Sequence, residues 1–354
     1  MGQALLGIEI GNSNIKVVQG IRKRNELVLT NYGIEPTPKG AVRDGFIMDM
    51  DAVFDSLQNL IKRKRFTEKN AAIIVQGTSI ITRDVLMPPM SEKELRTILD
   101  YQKDEYFPID VSDYQTDFKI LNEVETEEGK KLNVLLVAAP NNIIESSLEL
   151  IKRLNLRPKF IDITSNAISK IFASRSYGFH DENSSIMVLD IGGQTTTVTI
   201  LSEGNILFSR SILYGFEHLN ELIRDEFGEK DLSQVEMFKR KYAALYDQDK
   251  SLDEDLYGGY ISYLVKPAVE NNIIQEIQRF LEFYYSRSNA KKIKTVYLVG
   301  GGAYLKNITQ YVEKMINIPT MQADVFEDIK VKGMSEFDND FLYLVNALGL
   351  ISRI

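Results

Sequence analysis

The chain carries one short pattern twice, and this repetition constrains its fold more than any other feature. Leu6-Gly7-Ile8-Glu9-Ile10-Gly11-Asn12-Ser13-Asn14-Ile15-Lys16-Val17-Val18 opens the first half, and Met187-Val188-Leu189-Asp190-Ile191-Gly192-Gly193-Gln194-Thr195-Thr196-Thr197-Val198 opens the second. Each reads as a β-branched strand, an acid-x-Gly turn and a second β-rich strand, because Val, Ile and Thr suit a pleated surface and glycine interrupts it. A third strand is expected after each, at Glu26–Glu35 and Asn205–Leu213. Two such units about half a chain apart predict two related α/β domains facing each other.

Between the repeats the pattern changes. Thr82–Met87 reads as a strand that stops at Pro88-Pro89. Ser91 with Glu94 three residues on marks a capped helix, with Leu95, Ile98, Leu99 and Gln102 as its inner stripe and Pro108 as its end. Strands at Tyr114–Leu121 and Lys131–Ala139 are joined by an acidic turn, Asn122–Lys130. A helix at Ile143–Leu154 and a strand at Lys159–Ile163 complete a β-α-β-β-α-β unit inserted into the first domain. The second half has a mostly helical insertion, Phe216–Arg287, whose acidic segment Asp247–Gly259 reads as an exposed loop. The expected division is 1–81, 159–184 and 335–354 for the first domain and 82–158 for its insertion. The second domain takes 185–215 and 288–334, and its insertion 216–287.

The chemistry available is narrow. There is no cysteine, so disulfides, thiolate metal sites and thiol nucleophiles are excluded. His180 and His218 are the only imidazoles, too few for a histidine-rich metal site. The net charge of −8 argues against nucleic acid as a partner, and Lys62-Arg63-Lys64-Arg65 reads as a solvated helix end. Met1–Gly11 lacks a basic leader region, and no stretch has the 18 uninterrupted apolar residues of a membrane span. A cytoplasmic protein without a direct membrane span is expected.

A glycine hairpin lets backbone N–H groups approach phosphate oxygens without a Cβ in the way. Gly11, Asn12, Ser13, Gly192, Gly193, Gln194 and Thr195 are the candidates for that role. The adjoining acids, Asp190 first and Glu9 second, suit Mg²⁺ held through water, because Mg²⁺ prefers oxygen ligands and keeps several waters. Lys16 on the return strand is placed to neutralise a phosphate. A third element runs Val296-Tyr297-Leu298-Val299 into Gly300, Gly301 and Gly302, then into a helix expected from Tyr304. Each element alone also reads as an ordinary turn. Their order within one chain predicts a nucleotide clamped between two halves.

These residues resemble the actin/Hsp70/hexokinase superfamily of ATP-binding proteins, with the two hairpins as its phosphate motifs and the triple glycine as its adenosine motif. The resemblance covers essentially the whole chain and implies an actin-like (ribonuclease H-like) duplicated two-domain fold binding ATP and Mg²⁺. Within it, Met87-Pro88-Pro89-Met90-Ser91, Tyr106-Phe107-Pro108, Leu135-Leu136-Val137-Ala138-Ala139-Pro140 and Leu154–Asp162 are similar to the PilM and FtsA families. There the insertion is subdomain 1C, attached to subdomain 1A, while 2A and 2B form the other half. Glu236, Lys239 and Arg240 match the pattern that holds ribose and adenine in Hsp70-like proteins; without the resemblance they read as a solvated helix face.

The resemblance implies type IV pilus assembly, coupling nucleotide state to a PilN-like inner-membrane protein through its cytoplasmic N-terminal peptide. It extends to pilus motor ATPases and to self-association. Alternatives are an FtsA-like division or filament protein, or a small-molecule kinase with Asp162 as catalytic carboxylate. Related chains commonly carry glutamate where this one has Thr164, the position tied to the attacking water. A hydroxyl orients water but is a poor base, so binding is better supported than turnover. Glu9 replaces an aspartate common in relatives, moving the carboxylate by one methylene.

Overall fold

The computed structural model describes the chain except residues 1–3, 24–25, 108, 174–183, 229–231, 246–255, 288–289, 325–328, 333–336 and 353–354, and except some side chains that include Glu236 and Arg240. The first half opens with β1 (Ala4–Ile10), β2 (Asn14–Lys23) and β3 (Glu26–Pro36), an antiparallel meander. A short hairpin, β4 (Val42–Arg43) with β5 (Phe46–Ile47), leads to helix α1 (Met50–Arg63) and then to β6 (Asn70–Val75). Asp49 caps α1 by accepting from Ala52 N–H at 3.0 Å, and Lys62 and Arg63 lie in its last turn, where positive charge suits the helix dipole.

The insertion is built from β7 (Ile81–Met87), α2 (Glu92–Tyr106), β8 (Tyr114–Thr126) and β9 (Gly129–Pro140). Its three strands form a separate sheet in the order β7-β9-β8. Ser91 and Glu94 make the reciprocal capping box at the start of α2. Leu95 and Leu99 bury against Val134 and Leu136 in a small core of their own. Gln102, expected on the inner stripe, is exposed and takes φ −122°, ψ 17°, where α2 kinks. The acidic turn is also shorter than expected. Glu125 pairs opposite Lys130, so the strands continue to Thr126 and Gly129, and Gly129 supplies the positive φ that reverses the chain.

Helix α3 (Asn141–Arg153) and strand β10 (Arg157–Ile163) return to the first domain. Leu150 and Ile151 pack with Leu6, Ile8 and Ile73, and β10 runs parallel to β6. The insertion is therefore a β-α-β-β unit, not β-α-β-β-α-β: the unpaired edge of β6 captures β10, starting where Arg157 N–H donates to Lys69 O at 2.7 Å. Helix α4 (Thr164–Phe172) follows.

The second half repeats the plan with β11 (Ser184–Ile191), β12 (Thr196–Ser202) and β13 (Asn205–Ile212). Helices α5 (Phe216–Phe227), α6 (Leu232–Tyr242), α7 (Leu256–Val269) and α8 (Gln275–Tyr285) form the second insertion. The expected loop Asp247–Gly259 lies outside the described residues up to 255, and the chain is helical from Leu256. Then come β14 (Lys292–Val299), α9 (Ile308–Ile316), β15 (Thr320–Gln322), β16 (Ile329–Val331) and α10 (Phe337–Ile351).

The sheet orders are β3-β2-β1-β6-β10 and β13-β12-β11-β14-β15, the same sequence of a meander followed by two parallel crossovers. The sequence repeat is thus a repeat of topology. One strand breaks the symmetry: β16, expected within the second domain, pairs in parallel with β3 and extends the first sheet. The closing helix α10 crosses back over β1, β2 and α4. Phe341, Leu344, Val345 and Leu348 are all buried there, each contributing roughly 1.5–3 kcal/mol by leaving water. The approach is close enough that a Cβ on Gly7 would sit 2.8 Å from Ala347 O, so glycine is required in β1.

Candidate functional site

The two acid-x-Gly turns close identically. Gly11 N–H donates to Asn14 O at 3.0 Å, and Gly192 N–H donates to Thr195 O at 2.9 Å. Each glycine follows its acid by two positions, so each hairpin presents an acid at the strand end and small residues at the tip. The tips meet. Asn12 Nδ2 donates to Gln194 Oε1 and to Val42 O, and a Cβ on Gly193 would overlap Ser13 Oγ. Thr37 braces the first tip, donating through Oγ1 to Gly11 O at 2.6 Å. Helix α5 braces the second, through Phe216 N–H to Gly192 O at 3.0 Å and Glu217 N–H to Gly193 O at 2.8 Å.

Behind the tips the acids converge. Strand register puts Glu9 opposite Lys16, and their side chains form an ion pair at 2.7 Å. Asn346 of α10 donates from Nδ2 to Asp190 Oδ2 at 2.7 Å and, more weakly, to Glu9 Oε1 at 3.4 Å. One amide therefore spans the acids of both domains. Glu9 is 2% exposed, and burial pushes its carboxyl above the usual carboxylate range; Lys16 opposes this rise and the Asp190 charge adds to it. Burial works to lower the Lys16 ammonium, but Glu9 and then Asp190 outweigh it and hold it above the ordinary lysine range. Lys16 is thus committed to Glu9 and is not a free cation in the cleft.

Glu9 Oε2 is buried with no hydrogen-bond partner. A carboxylate oxygen left open beside a second carboxylate fits a hydrated Mg²⁺, which needs few protein ligands and keeps its waters. Among the described residues no three Asp, Glu or His side chains converge, so no cage made wholly of protein ligands is built.

The triple glycine meets close packing. Gly300 N–H donates to Leu342 O at 2.8 Å, its φ is +80°, and a Cβ there would press on Ile191 O at 2.6 Å. A Cβ on Gly301 would lie 2.8 Å from the Tyr343 ring, and one on Gly302 would overlap Ile191. Gly301–Tyr304 form a single 3₁₀ turn, and the helix expected from Tyr304 begins at Ile308 because Leu305 is extended. Tyr304 stacks on Tyr343, ring centroids 5.0 Å apart, and keeps about a third of its surface exposed, 36%. Lys239, expected at an adenosine, is 7% exposed; its Nζ lies 5.8 Å from the Phe216 ring and donates to Phe216 O at 3.4 Å. It supports α5 behind the second tip. The side chains of Glu236 and Arg240 lie outside the described residues.

Asp162 accepts from Asn166 Nδ2 at 2.8 Å and Ile163 N–H at 2.9 Å and pairs with Lys170. Both oxygens of that carboxylate are thus held by groups of β10 and α4. Thr164 is buried, and its hydroxyl has no partner. Asn346 is the residue that sequence reasoning missed. Its signal was present: a single amide inside the apolar run Phe341–Leu350, which is costly to bury without a purpose.

A model of the type IV pilus assembly protein PilM family matches residues 7–353. Cell division protein FtsA of Bacillus subtilis (strain 168) is 23% identical over 277 residues, covering 70% of this chain and 60% of that protein. Chaperone protein dnaK of Cyanidium caldarium is 23% identical over 257 residues, covering 70% of this chain and 40% of its own. The chain thus spans less than two thirds of the length of these relatives. Among solved structures, a PilM-PilN type IV pilus biogenesis complex superposes with a TM-score of 0.83 at 22% identity, covering 98% of this chain and 97% of that one. MreB5 of Spiroplasma citri bound to ADP gives 0.55 at 15% identity over 98% and 94%. The fold is actin-like.

Proposed function

This chain belongs to the type IV pilus assembly protein PilM family, and from that premise we propose that it binds a nucleotide between its domains and converts nucleotide state into grip on a PilN-like partner. The observation that carries the nucleotide reading is the Glu9–Asn346–Asp190 bridge, which brings both hairpins to one point. Phosphates would lie against Gly11, Asn12, Ser13 and Gly192–Thr195, with Mg²⁺ held through water by Asp190 and Glu9. Adenosine would lie near Gly300–Tyr304 and helix α6. A ligand touching both domains favours the arrangement in which both contacts are made, and any partner that prefers that arrangement is coupled to it.

The likeness to a PilM-PilN complex supports a PilN-like partner, and we assign its cytoplasmic N-terminal segment as the docked peptide. Among the described residues no helix is long and apolar enough to cross a membrane. We assign the protein to the inner face of the membrane, held there by that partner. Turnover is secondary to binding in this reading, because Thr164 offers a hydroxyl where a carboxylate base would be needed.

Calorimetric titration with Mg-ATP tests the site. Asp190→Ala is expected to abolish binding while the ligand-free melting temperature stays close to wild type. Wild-type affinity in the variant would overturn the assignment.

A further inference from the structure

A second polar cavity, about 450 Å³, lies where the first insertion meets the second domain. Thr164 at the start of α4, Arg83 of β7, and Ser209, Arg210 and Ser211 of β13 line it. Glu9, Lys16 and Asp190 are not among its walls, and it reaches the second hairpin at Thr195 and Thr197. It therefore stands apart from the paired acids, at a joint between three parts of the fold.

Three features of this cavity favour an anion. Thr164 is 6% exposed, and its Oγ1 is buried without a hydrogen-bond partner, an arrangement that costs free energy unless something accepts or donates there. Thr164 also opens α4 behind Ile163, which offers no side-chain cap, so the positive end of the helix is left for another acceptor. Finally, Arg83 and Arg210 have no carboxylate partner among the described residues, although the chain as a whole carries −8. The nearby acid, Asp84, is taken by Arg287 at 2.5 Å. Arg210 uses Nη1 on Ser209 O at 2.8 Å and Thr82 O at 3.3 Å, which fixes the guanidinium at the joint. Arg83 and Arg210 each keep an exposed side, and partial burial, then the charges of Arg83 and Arg287, lower the Arg210 pKa.

We propose that this cavity, which adjoins the nucleotide site at Thr195, binds a free phosphate ion through Arg83, Arg210 and the Thr164 hydroxyl, and that the bound anion ties the insertion to the second domain. Guanidinium forks and hydroxyls match the several oxygens of a tetrahedral anion. The neighbouring pair Thr197 and Ser211 satisfy one another at 3.0 Å, which leaves the cations and Thr164 as the groups that gain a partner.

The test is titration of the full-length protein with inorganic phosphate, followed by ³¹P NMR and calorimetry, with and without saturating Mg-ATP. Saturable binding that persists beside ATP is expected, weakened about tenfold or more in Arg83→Gln and Arg210→Gln. Thr164→Val removes an unpartnered hydroxyl, so it should fold as wild type and weaken phosphate several-fold. A loss confined to ATP in the arginine variants would assign these groups to the nucleotide site and overturn the proposal. No saturable phosphate or ATP effect of these residues, or phosphate displaced by ATP and indifferent to both arginine substitutions, would overturn the proposal.

Discussion

In the first hairpin the acid is buried and faces a lysine across the strands; in the second, Asp190 stands half-buried and faces Thr197. Backbone closure and position in the sheet are the same in both. The residue opposite the acid accounts for the difference. Lys16 neutralises Glu9 and permits its burial, so the first hairpin is an internally balanced support. Thr197 brings no charge, and Asp190 is held through the Asn346 amide and stays partly exposed. Duplication supplied two equivalent turns, and one cross-strand position divided their work.

Removing the balancing charge should break this division most severely. Lys16→Met leaves Glu9 buried without its counter-charge and is expected to cost about 3–5 kcal/mol in chemical denaturation at neutral pH. Asp190→Asn should cost less than about 1 kcal/mol, because the amide that replaces the acid keeps an oxygen to accept from Asn346 and no charged partner across the strands is left behind. Equal losses would show that the two hairpins carry the same kind of acid. Asn346→Ala comes next, at about 1–3 kcal/mol, since it strips a buried hydrogen-bond donor from both acids. Its readout should include a drop in Mg-ATP affinity, which a purely structural amide would leave unchanged.

The duplicated plan was legible because it rests on local patterns: β-branched runs, acid-x-Gly turns and the Ser91–Glu94 cap each fix their own structure. The end of the insertion was legible in part. The division at 158 left β10 to the first domain, whereas the β-α-β-β-α-β grouping counted it with the insertion, and the open edge of β6 is what draws it into the first sheet. That Lys16 and Lys239 are held within the chain, by Glu9 and by Phe216 O, was not legible for a related reason. A sequence shows a charge but not which side of the backbone will hold a carboxylate or a carbonyl to satisfy it. Gly300–Gly302 read in sequence as a turn from a strand toward a helix, but the neighbours that leave no room for side chains there, Ile191 and Tyr343, come from distant segments.

The pH response offers a subtler separation. Burial raises the Glu9 pKa in the folded protein, so the folded state holds its proton more tightly than the unfolded chain does. Stability from this group is therefore greatest at low pH and declines as pH rises from the ordinary carboxylate range to the raised value. Glu9→Gln should flatten that decline in urea midpoints measured across the acid range. Asp190→Asn should shrink the decline without abolishing it, because the Asp190 charge adds to the rise and burial is its larger cause. A slope that survives Glu9→Gln would assign it to other carboxylates.

The smallest effect belongs to the contact between the tips. Asn12 and Gln194 join the hairpins by a single side-chain hydrogen bond, worth about 0.5–1.5 kcal/mol once exchange with water is counted. Both tips keep their own backbone closure without it, so Asn12→Ala should lower stability by no more than about 1.5 kcal/mol. It acts instead on the relation between domains, because it loosens a link that crosses the cleft. If a nucleotide must part the tips to reach both hairpins, the variant should bind Mg-ATP faster than wild type, with a modest change in affinity, in stopped-flow measurements. If the linked tips are already the binding-competent arrangement, the same variant should bind more weakly through faster dissociation. The sign of the kinetic change decides whether that hydrogen bond belongs to the closed clamp or guards its entrance.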